Sequence, residues 1–158
     1  MNKLVLSLAV VLPSLLHAGN WPGWRGPNGD GTSLETNLPI KWSRTENIAW
    51  RLELPGPAGS TPAVWEDRIF LTSPAGDDLV LLCVSRGGKE LWRRKVEAGN
   101  KDFRGDEGNS AAPSPSTDGK HVWAFFGTGH LACFDFEGQI VWQSNLKDLY
   151  GDYDHWHG

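Results

Sequence analysis

Short apolar runs separated by glycine-containing turns make up most of the chain after its first 18 residues. In the clearest stretch, the pattern predicts four strands, at about 112–116, 121–126, 131–135 and 139–145. Each intervening turn contains a glycine, which supplies the positive φ that tight hairpins require. No long apolar pattern follows the 3.6-residue period of an amphipathic helix. The sequence therefore predicts an all-β fold.

The same pattern recurs along the chain at an interval of about 50 residues. Residues 81–92 align with residues 131–142, so that Trp92 and Trp142 end the two repeats at matching positions. A repeat of this length with four short antiparallel strands is typical of one blade of a β-propeller. We therefore expect a β-propeller of four-stranded antiparallel blades.

The repeat divides the chain into segments with different expected roles. These are a signal peptide at 1–18, an N-terminal extension packing on the ring at 19–47, a partial propeller at 48–158 with a closing strand at 48–54, blades at 60–97 and 111–146, and the start of the next inter-blade loop at 147–158. The closing strand is expected to complete a last blade whose other strands come from the far end of the chain. Two blades and one strand do not close a ring. We therefore expect the sequence to be the N-terminal part of a longer propeller.

Tryptophans mark the end of successive repeats in a chain that has nine of them. Trp50, Trp92 and Trp142 are predicted to dock their flat rings against the neighbouring blade, with Gly88 and Gly138 in the turns that precede the last two. The alternative is that these indoles are platforms for a ligand. The structural role is favoured because a single blade buries neither of its faces by itself.

The first 18 residues have the order of charges and apolar residues found in secretory signal peptides. Lys3 is followed by an apolar run at 4–16, and Ala18 precedes a plausible cleavage point before Gly19. The run is too short to span a bilayer and contains a proline. We expect an exported protein, periplasmic or extracellular, and the alternative is a buried N-terminal helix.

The charge of the chain narrows the class of partner. The net charge is −4, which argues against nucleic acid as a partner because phosphates require clustered basic side chains.

The two cysteines, Cys83 and Cys133, occupy equivalent positions in the two repeats. Equivalent positions in neighbouring blades lie too far apart for a disulfide, so both cysteines are predicted to be core residues.

Two segments have the composition of a candidate site. Asp152, Asp154, His155 and His157 lie within six residues of one another and form a weak candidate metal site. The alternative is a polar loop. The inter-blade connection at 98–110 crosses an end of the ring and is a second candidate, since loops on a rigid scaffold often carry binding residues; its alternative is a solvated charged loop.

The end of each repeat resembles the tryptophan-docking motif of the quinoprotein-type, or PQQ-like, β-propeller repeat family. Asp135, Gly138 and Trp142 match that motif, whereas Ser85 stands at the aspartate position of the first blade. The N-terminal segment 21–27 (WPGWRGP) is similar to an exported bacterial branch of the family, akin to the outer-membrane-protein assembly-factor propeller. The resemblance implies a full ring of about seven or eight blades.

The sequence is compatible with two functions. The first is a non-catalytic binding or scaffold module that holds a protein or a small-molecule ligand on its end-face loops, without cofactor, metal or catalytic residues. The second is a quinoprotein dehydrogenase that uses pyrroloquinoline quinone and calcium to oxidise alcohols or sugars. The first is favoured because the motif is degenerate and neither the quinone platform nor the calcium ligands can be placed in this sequence.

Overall fold

The computed structural model describes residues 19–36, 38–57, 59–103 and 108–152. The predicted signal peptide at 1–18 lies outside these residues. The elements, in chain order, are β1 Ala63–Trp65, β2 Arg68–Ala75, β3 Asp78–Ser85, β4 Glu90–Ala98, β5 Asp102–Phe103, β6 Gly108–Asn109, β7 Ser116–Thr117, β8 His121–Phe125, β9 His130–Asp135, β10 Ile140–Asn145 and α1 Leu146–Tyr150.

Two four-stranded antiparallel sheets account for most of these strands. The first blade has the order β1-β2-β3-β4, and the second has the order β7-β8-β9-β10. The short hairpin β5-β6 lies in the connection between them. The prediction of an all-β fold of propeller blades is confirmed.

Equivalent residues of the two repeats occupy equivalent places in the register. Cys83 pairs with Trp92 across β3 and β4, and Cys133 pairs with Trp142 across β9 and β10. Because side chains alternate between the faces of a sheet, each cysteine shares a face with the tryptophan opposite it. Both cysteines are buried and free of disulfides. The 50-residue repeat is thus a repeat of side-chain orientation as well as of strand order.

The main core lies between the two blades. The first blade contributes Phe70, Leu81 and Cys83, and the second contributes Val122 and Phe134, all fully or almost fully buried. Burial of apolar side chains of this size stabilises a fold by roughly 1.5–3 kcal/mol each. The stacking of the sheets is therefore the principal source of stability in this part of the chain.

The segment 48–54, for which the sequence predicts a closing strand, forms no strand with the described residues. A strand requires a partner that completes its backbone ladder, and the segment is held through its side chains instead. Leu52 and Leu54 pack on the outer face of the first blade, against a cluster that includes Val80 and Leu82.

The inner strand of the second blade is also shorter than predicted. The sequence predicts a strand at 112–116, whereas β7 contains only Ser116–Thr117. Pro113 and Pro115 have no N–H group and cannot donate to a backbone ladder. Side chains of the first blade fix this segment instead, since the buried hydroxyl of Thr72 donates to the carbonyl oxygens of Ala111 (2.8 Å) and Pro113 (3.0 Å).

A single helical turn follows the second blade, at the start of the predicted inter-blade loop. Asn145 caps α1 by accepting a hydrogen bond from the N–H of Lys147 at 3.0 Å, and Gly151 ends it with a φ of 81°. The cap explains why so short a segment is helical without apolar periodicity. No helix among the described residues has the length and apolar character needed to cross a membrane.

Two tryptophans lie flat against glycine turns of the next sheet. The ring of Trp92 covers Gly138, and its Nε1–H donates to the carbonyl oxygen of Phe136 at 2.8 Å. In the same way Trp50 covers Gly88 and donates to the carbonyl oxygen of Arg86 at 2.7 Å. Each indole is therefore fixed both by contact and by a hydrogen bond. Trp142 occupies the equivalent position on β10 and is partly exposed.

Asp135 shapes the turn on which Trp92 rests. Its Oδ1 accepts hydrogen bonds from the N–H groups of Glu137 (3.0 Å) and Gln139 (2.8 Å). In the first blade Ser85, the residue at the aspartate position, accepts one such bond from Lys89 at 3.1 Å. A hydroxyl can therefore order the turn in place of a carboxylate, which explains why the substituted motif retains the same geometry.

We predict that Gly138→Ala destabilises the fold by about 1–3 kcal/mol more than Gly76→Ala, because only the first added methyl group overlaps a packed ring. A Cβ at Gly138 lies 2.9 Å from Trp92, whereas a Cβ at Gly76 has no neighbour within 4 Å. The φ values of 78° and 65° make the backbone strain of the two substitutions similar. Urea unfolding measures both variants, and equal losses would contradict the docking contact.

We further predict that the cysteines of the folded protein react slowly with thiol reagents at pH 8. Burial raises the pKa of the Cys83 thiol to about 11 and also raises the pKa of Cys133. Because the thiolate is the reactive form, labelling of Cys83 should keep accelerating as the pH rises towards 11. Absorbance of the released thiolate of an aromatic disulfide reagent reports the rate. In denaturant both thiols should react fast, and fast labelling without denaturant would disprove the burial.

Candidate binding surface

The connections between strands lie at two opposite ends of the blades, because successive strands run in opposite directions. One end, the loop face, consists of the β2–β3 turn, the connection at 98–110, the β8–β9 turn and α1. The other end, the turn face, consists of the β1–β2, β3–β4, β7–β8 and β9–β10 turns. The docked glycines Gly88 and Gly138 both belong to the turn face.

The connection at 98–110 is fastened to both blades. The N–H groups of Gly99 and Asn100 donate to the carbonyl oxygen of Asp77 in the β2–β3 turn, at 2.9 and 3.0 Å. At the other end of the connection, the carbonyl oxygen of Ser110 accepts a bond of 2.8 Å from the N–H of Gly127 in the β8–β9 turn. The described ends of this loop are therefore fixed relative to the sheets. Its residues 104–107 lie outside the described part of the chain.

Asn109 is a buried polar anchor of the connection, with 5% of its surface exposed. Its Nδ2 donates to the carbonyl oxygen of Pro57 at 2.7 Å, and its Oδ1 accepts from the N–H of Ala111 at 2.9 Å. A single side chain thus ties the loop to the segment that precedes the first blade. The role of Asn109 as an anchor could not be predicted from the local sequence, because its partner Pro57 is 52 residues away.

A polar cluster bridges the blades just beneath the loop face. Thr128 donates to one oxygen of Glu97, and the other oxygen lies 3.2 Å from Nδ1 of His130. The side chains of Glu97 and His130 are only 19% and 17% exposed. The His130 ring nitrogens have no aligned hydrogen-bond partner in the described residues, so the approach to Glu97 is an ion pair only when the ring is protonated. The cluster therefore joins β4 of the first blade to the β8–β9 turn and β9 of the second.

The helix α1 presents two large side chains to solvent on the loop face. The N–H of Leu146 donates to the carbonyl oxygen of Gly129 at 2.9 Å, which fixes the helix against the β8–β9 turn. Leu149 and Tyr150 are 63% and 82% exposed. An exposed aromatic and aliphatic pair on an anchored turn is the composition that protein interfaces favour.

Of the four candidate metal ligands, the structure describes only Asp152. Asp152 is exposed and lies 3.9 Å from Nζ of Lys147. Asp154, His155 and His157 lie outside the described residues. Within the described ranges, no group of three or more His, Cys, Asp or Glu side chains is arranged to hold a metal ion. The metal site therefore stays a prediction.

Trp50 and Trp92 do not fit the role of a quinone platform on the side where they dock. A glycine turn covers one ring face of Trp50 and of Trp92, with ring atoms 2.5–2.9 Å from the position that a glycine Cβ would occupy at Gly88 and Gly138. Backbone therefore fills the space in which a planar cofactor would have to stack on that face.

The repeat and the loop geometry agree with a family relationship. A family model described as outer membrane protein assembly factor BamB matches residues 35–151. The chain belongs to this family. The match spans both blades, the connection at 98–110 and α1, and confirms the resemblance to PQQ-like propeller repeats. No curated protein matches the chain.

We predict that Asn109→Ala lowers the free energy of unfolding by about 1–3 kcal/mol, since it leaves buried backbone groups without partners. Asn100→Ala is the matched control, because Asn100 lies in the same connection and its buried Oδ1 has no hydrogen-bond partner within the described ranges. The control should cost clearly less. Urea unfolding gives both values, and a larger loss for the Asn100 variant would show that Asn109 is not the anchor.

Proposed function

We propose that this protein is an exported, non-catalytic β-propeller that binds a protein partner through its loop face and acts as a scaffold in the assembly of outer membrane proteins. The proposed process, assembly of outer membrane proteins, is taken from the description of the matching family as an outer membrane protein assembly factor. The order of charged, apolar and small residues at 1–18 supports export. The observation that carries the choice of surface is the exposed pair Leu149 and Tyr150 on a helix fastened to the second blade.

Rigidity is the first argument for the loop face. Hydrogen bonds to the carbonyl oxygen of Asp77 and from the N–H of Gly127 hold the described ends of the connection at 98–110, and a hydrogen bond to the carbonyl oxygen of Gly129 holds the start of α1. A partner that binds such a surface does not have to order these segments first, which removes an entropic cost of association. Loops with this degree of support are suited to a fixed binding geometry.

The chemistry of the exposed side chains is the second argument. Leu149 and Tyr150 provide an apolar and aromatic centre on α1, and the loop face also carries the exposed charges of Asp148 on the same helix and Lys101 in the connection at 98–110. Aromatic and aliphatic side chains surrounded by polar groups are typical of protein interfaces. The surface carries charges of both signs, which suits a folded protein better than a polyanion. We therefore expect the partner to be a protein with a complementary apolar patch.

The test is photo-cross-linking in cells with the full-length protein carrying a photoreactive phenylalanine analogue at position 150. We expect cross-links to a component of the machinery that assembles outer membrane proteins. The double substitution Leu149→Ala, Tyr150→Ala should weaken binding of that component about tenfold or more, as removal of a central aromatic contact does at other interfaces. Titration of the purified component measures the loss.

The matched control uses Ile40, an exposed aliphatic residue of the N-terminal extension. The same photoreactive group at position 40 should give no cross-link to that component, and Ile40→Ala should bind it normally. Cross-links from position 40 but not from position 150 would place the interface on another surface. Normal binding by the double variant would overturn the assignment of the loop face.

A further inference from the structure

The first described residues run along the inner edge of the first blade. Trp21 forms an antiparallel bridge with Val64 of β1, with N–H to carbonyl bonds of 2.8 and 2.7 Å. Next to it, the Oδ1 of Asn20 accepts a bond of 2.7 Å from the N–H of Glu66 in the β1–β2 turn. The segment therefore covers the strand edge that β1 would otherwise leave unpaired.

The same segment also contacts the second blade. The carbonyl oxygen of Pro22 accepts a bond of 2.8 Å from the N–H of Thr117 in β7. One short stretch of chain thus bonds to the inner strands of both blades. The segment therefore links the two sheets at their inner edges.

The residues that follow fold into a loop that returns to its own beginning. The N–H of Gly31 donates to the carbonyl oxygen of Arg25 at 3.0 Å, and the N–H of Glu35 donates to Oγ of Ser33 at 3.1 Å. The loop closes where the backbone nitrogen of Gly19 donates to Oε1 of Glu35, 16 residues later. This contact is the closing point of the loop 19–36.

The fit at the closing point is close. A Cβ added to Gly19 would lie 3.4 Å from Oε1 of Glu35, which is ordinary van der Waals contact, so the carboxylate lies against the backbone at this residue. The carboxylate is also exposed and therefore accessible.

The sequence places the expected signal-peptide cleavage immediately before this nitrogen. Hydrolysis of the amide bond between Ala18 and Gly19 by a signal peptidase adds one water molecule across the bond. Ala18 leaves with a carboxylate, and the nitrogen of Gly19 takes up protons to become an α-ammonium group. A neutral amide with one hydrogen is thereby replaced by a cation with three hydrogens.

We propose that Glu35 is the binding site for the α-ammonium group that signal-peptide removal creates on Gly19, so that the closed N-terminal loop is more stable in the processed protein than in the unprocessed chain. Before cleavage the contact is a single hydrogen bond from a neutral donor. After cleavage it is a charge-assisted ion pair, which is the stronger form of the interaction. Export and processing then stabilise the segment that bonds to β1 and β7.

The experiment uses the processed full-length protein with a free amine at Gly19 and the same protein carrying an acetyl group on that nitrogen, prepared by ligation. Each is made with Glu35 and with Glu35→Gln. Hydrogen exchange of the Val64 and Thr117 N–H groups is measured, because both donate to this segment. For an exposed ion pair, acetylation or Glu35→Gln should each speed exchange about two- to fivefold, and the two changes together should do no more than one alone.

Glu46→Gln is the matched control, since Glu46 is an exposed carboxylate that follows the loop and the substitution removes the same charge. It should leave both exchange rates unchanged. The proposal is overturned if acetylation has no effect on them, or if it has the same effect in Glu35→Gln. Mass spectrometry of the exported protein provides an independent check, and a mature N-terminus at any residue other than Gly19 also overturns it.

Discussion

The contact between an indole ring and a glycine turn of the next sheet determines how the blades stack. Apolar side chains alone would allow two sheets to slide, because hydrophobic burial has no preferred direction. The ring of Trp92 lies on Gly138 and its Nε1–H bonds to Phe136 within the same turn. Contact fixes the distance between the sheets and the hydrogen bond fixes their rotation, so the core between them packs in one register.

A second contact of this kind lies at the inner edge of the blades. The ring of Trp65, at the end of β1, covers Gly119 in the β7–β8 turn, where an added Cβ would lie 2.4 Å from the ring. The equivalent turn of the first blade has Glu66, with a φ of 52°, and the N-terminal segment bonds to its N–H. The inner and outer parts of the contact between the two sheets are therefore fixed by separate tryptophans, Trp65 and Trp92.

Much of the fold could be predicted because the same pattern of apolar residues, glycine turns and tryptophans occurs twice in the chain. The strands of the second blade begin and end close to the expected residues, except for β7, which begins only after Pro113 and Pro115. The segment 48–54 was expected to be a strand that completes a last blade with the far end of a longer chain, and that expectation stays a prediction; its tryptophan and leucines pack on the first blade. Apolar pattern identifies which side chains are buried, but pairing depends on a partner strand that local sequence does not specify.

The loop face was harder to predict, and the reason also bears on function. Its anchors are contacts between distant parts of the chain, such as Asn109 with Pro57 and Glu97 with His130. None of these residues belongs to the repeated motif, whereas the docked pairs of that motif, Trp50 on Gly88 and Trp92 on Gly138, lie on the turn face. Substitutions in these pairs disturb the stacking of the sheets. The exposed side chains of α1 on the loop face are not buried in that stacking, so a propeller of this design can acquire a specific partner through them without altering how its blades pack.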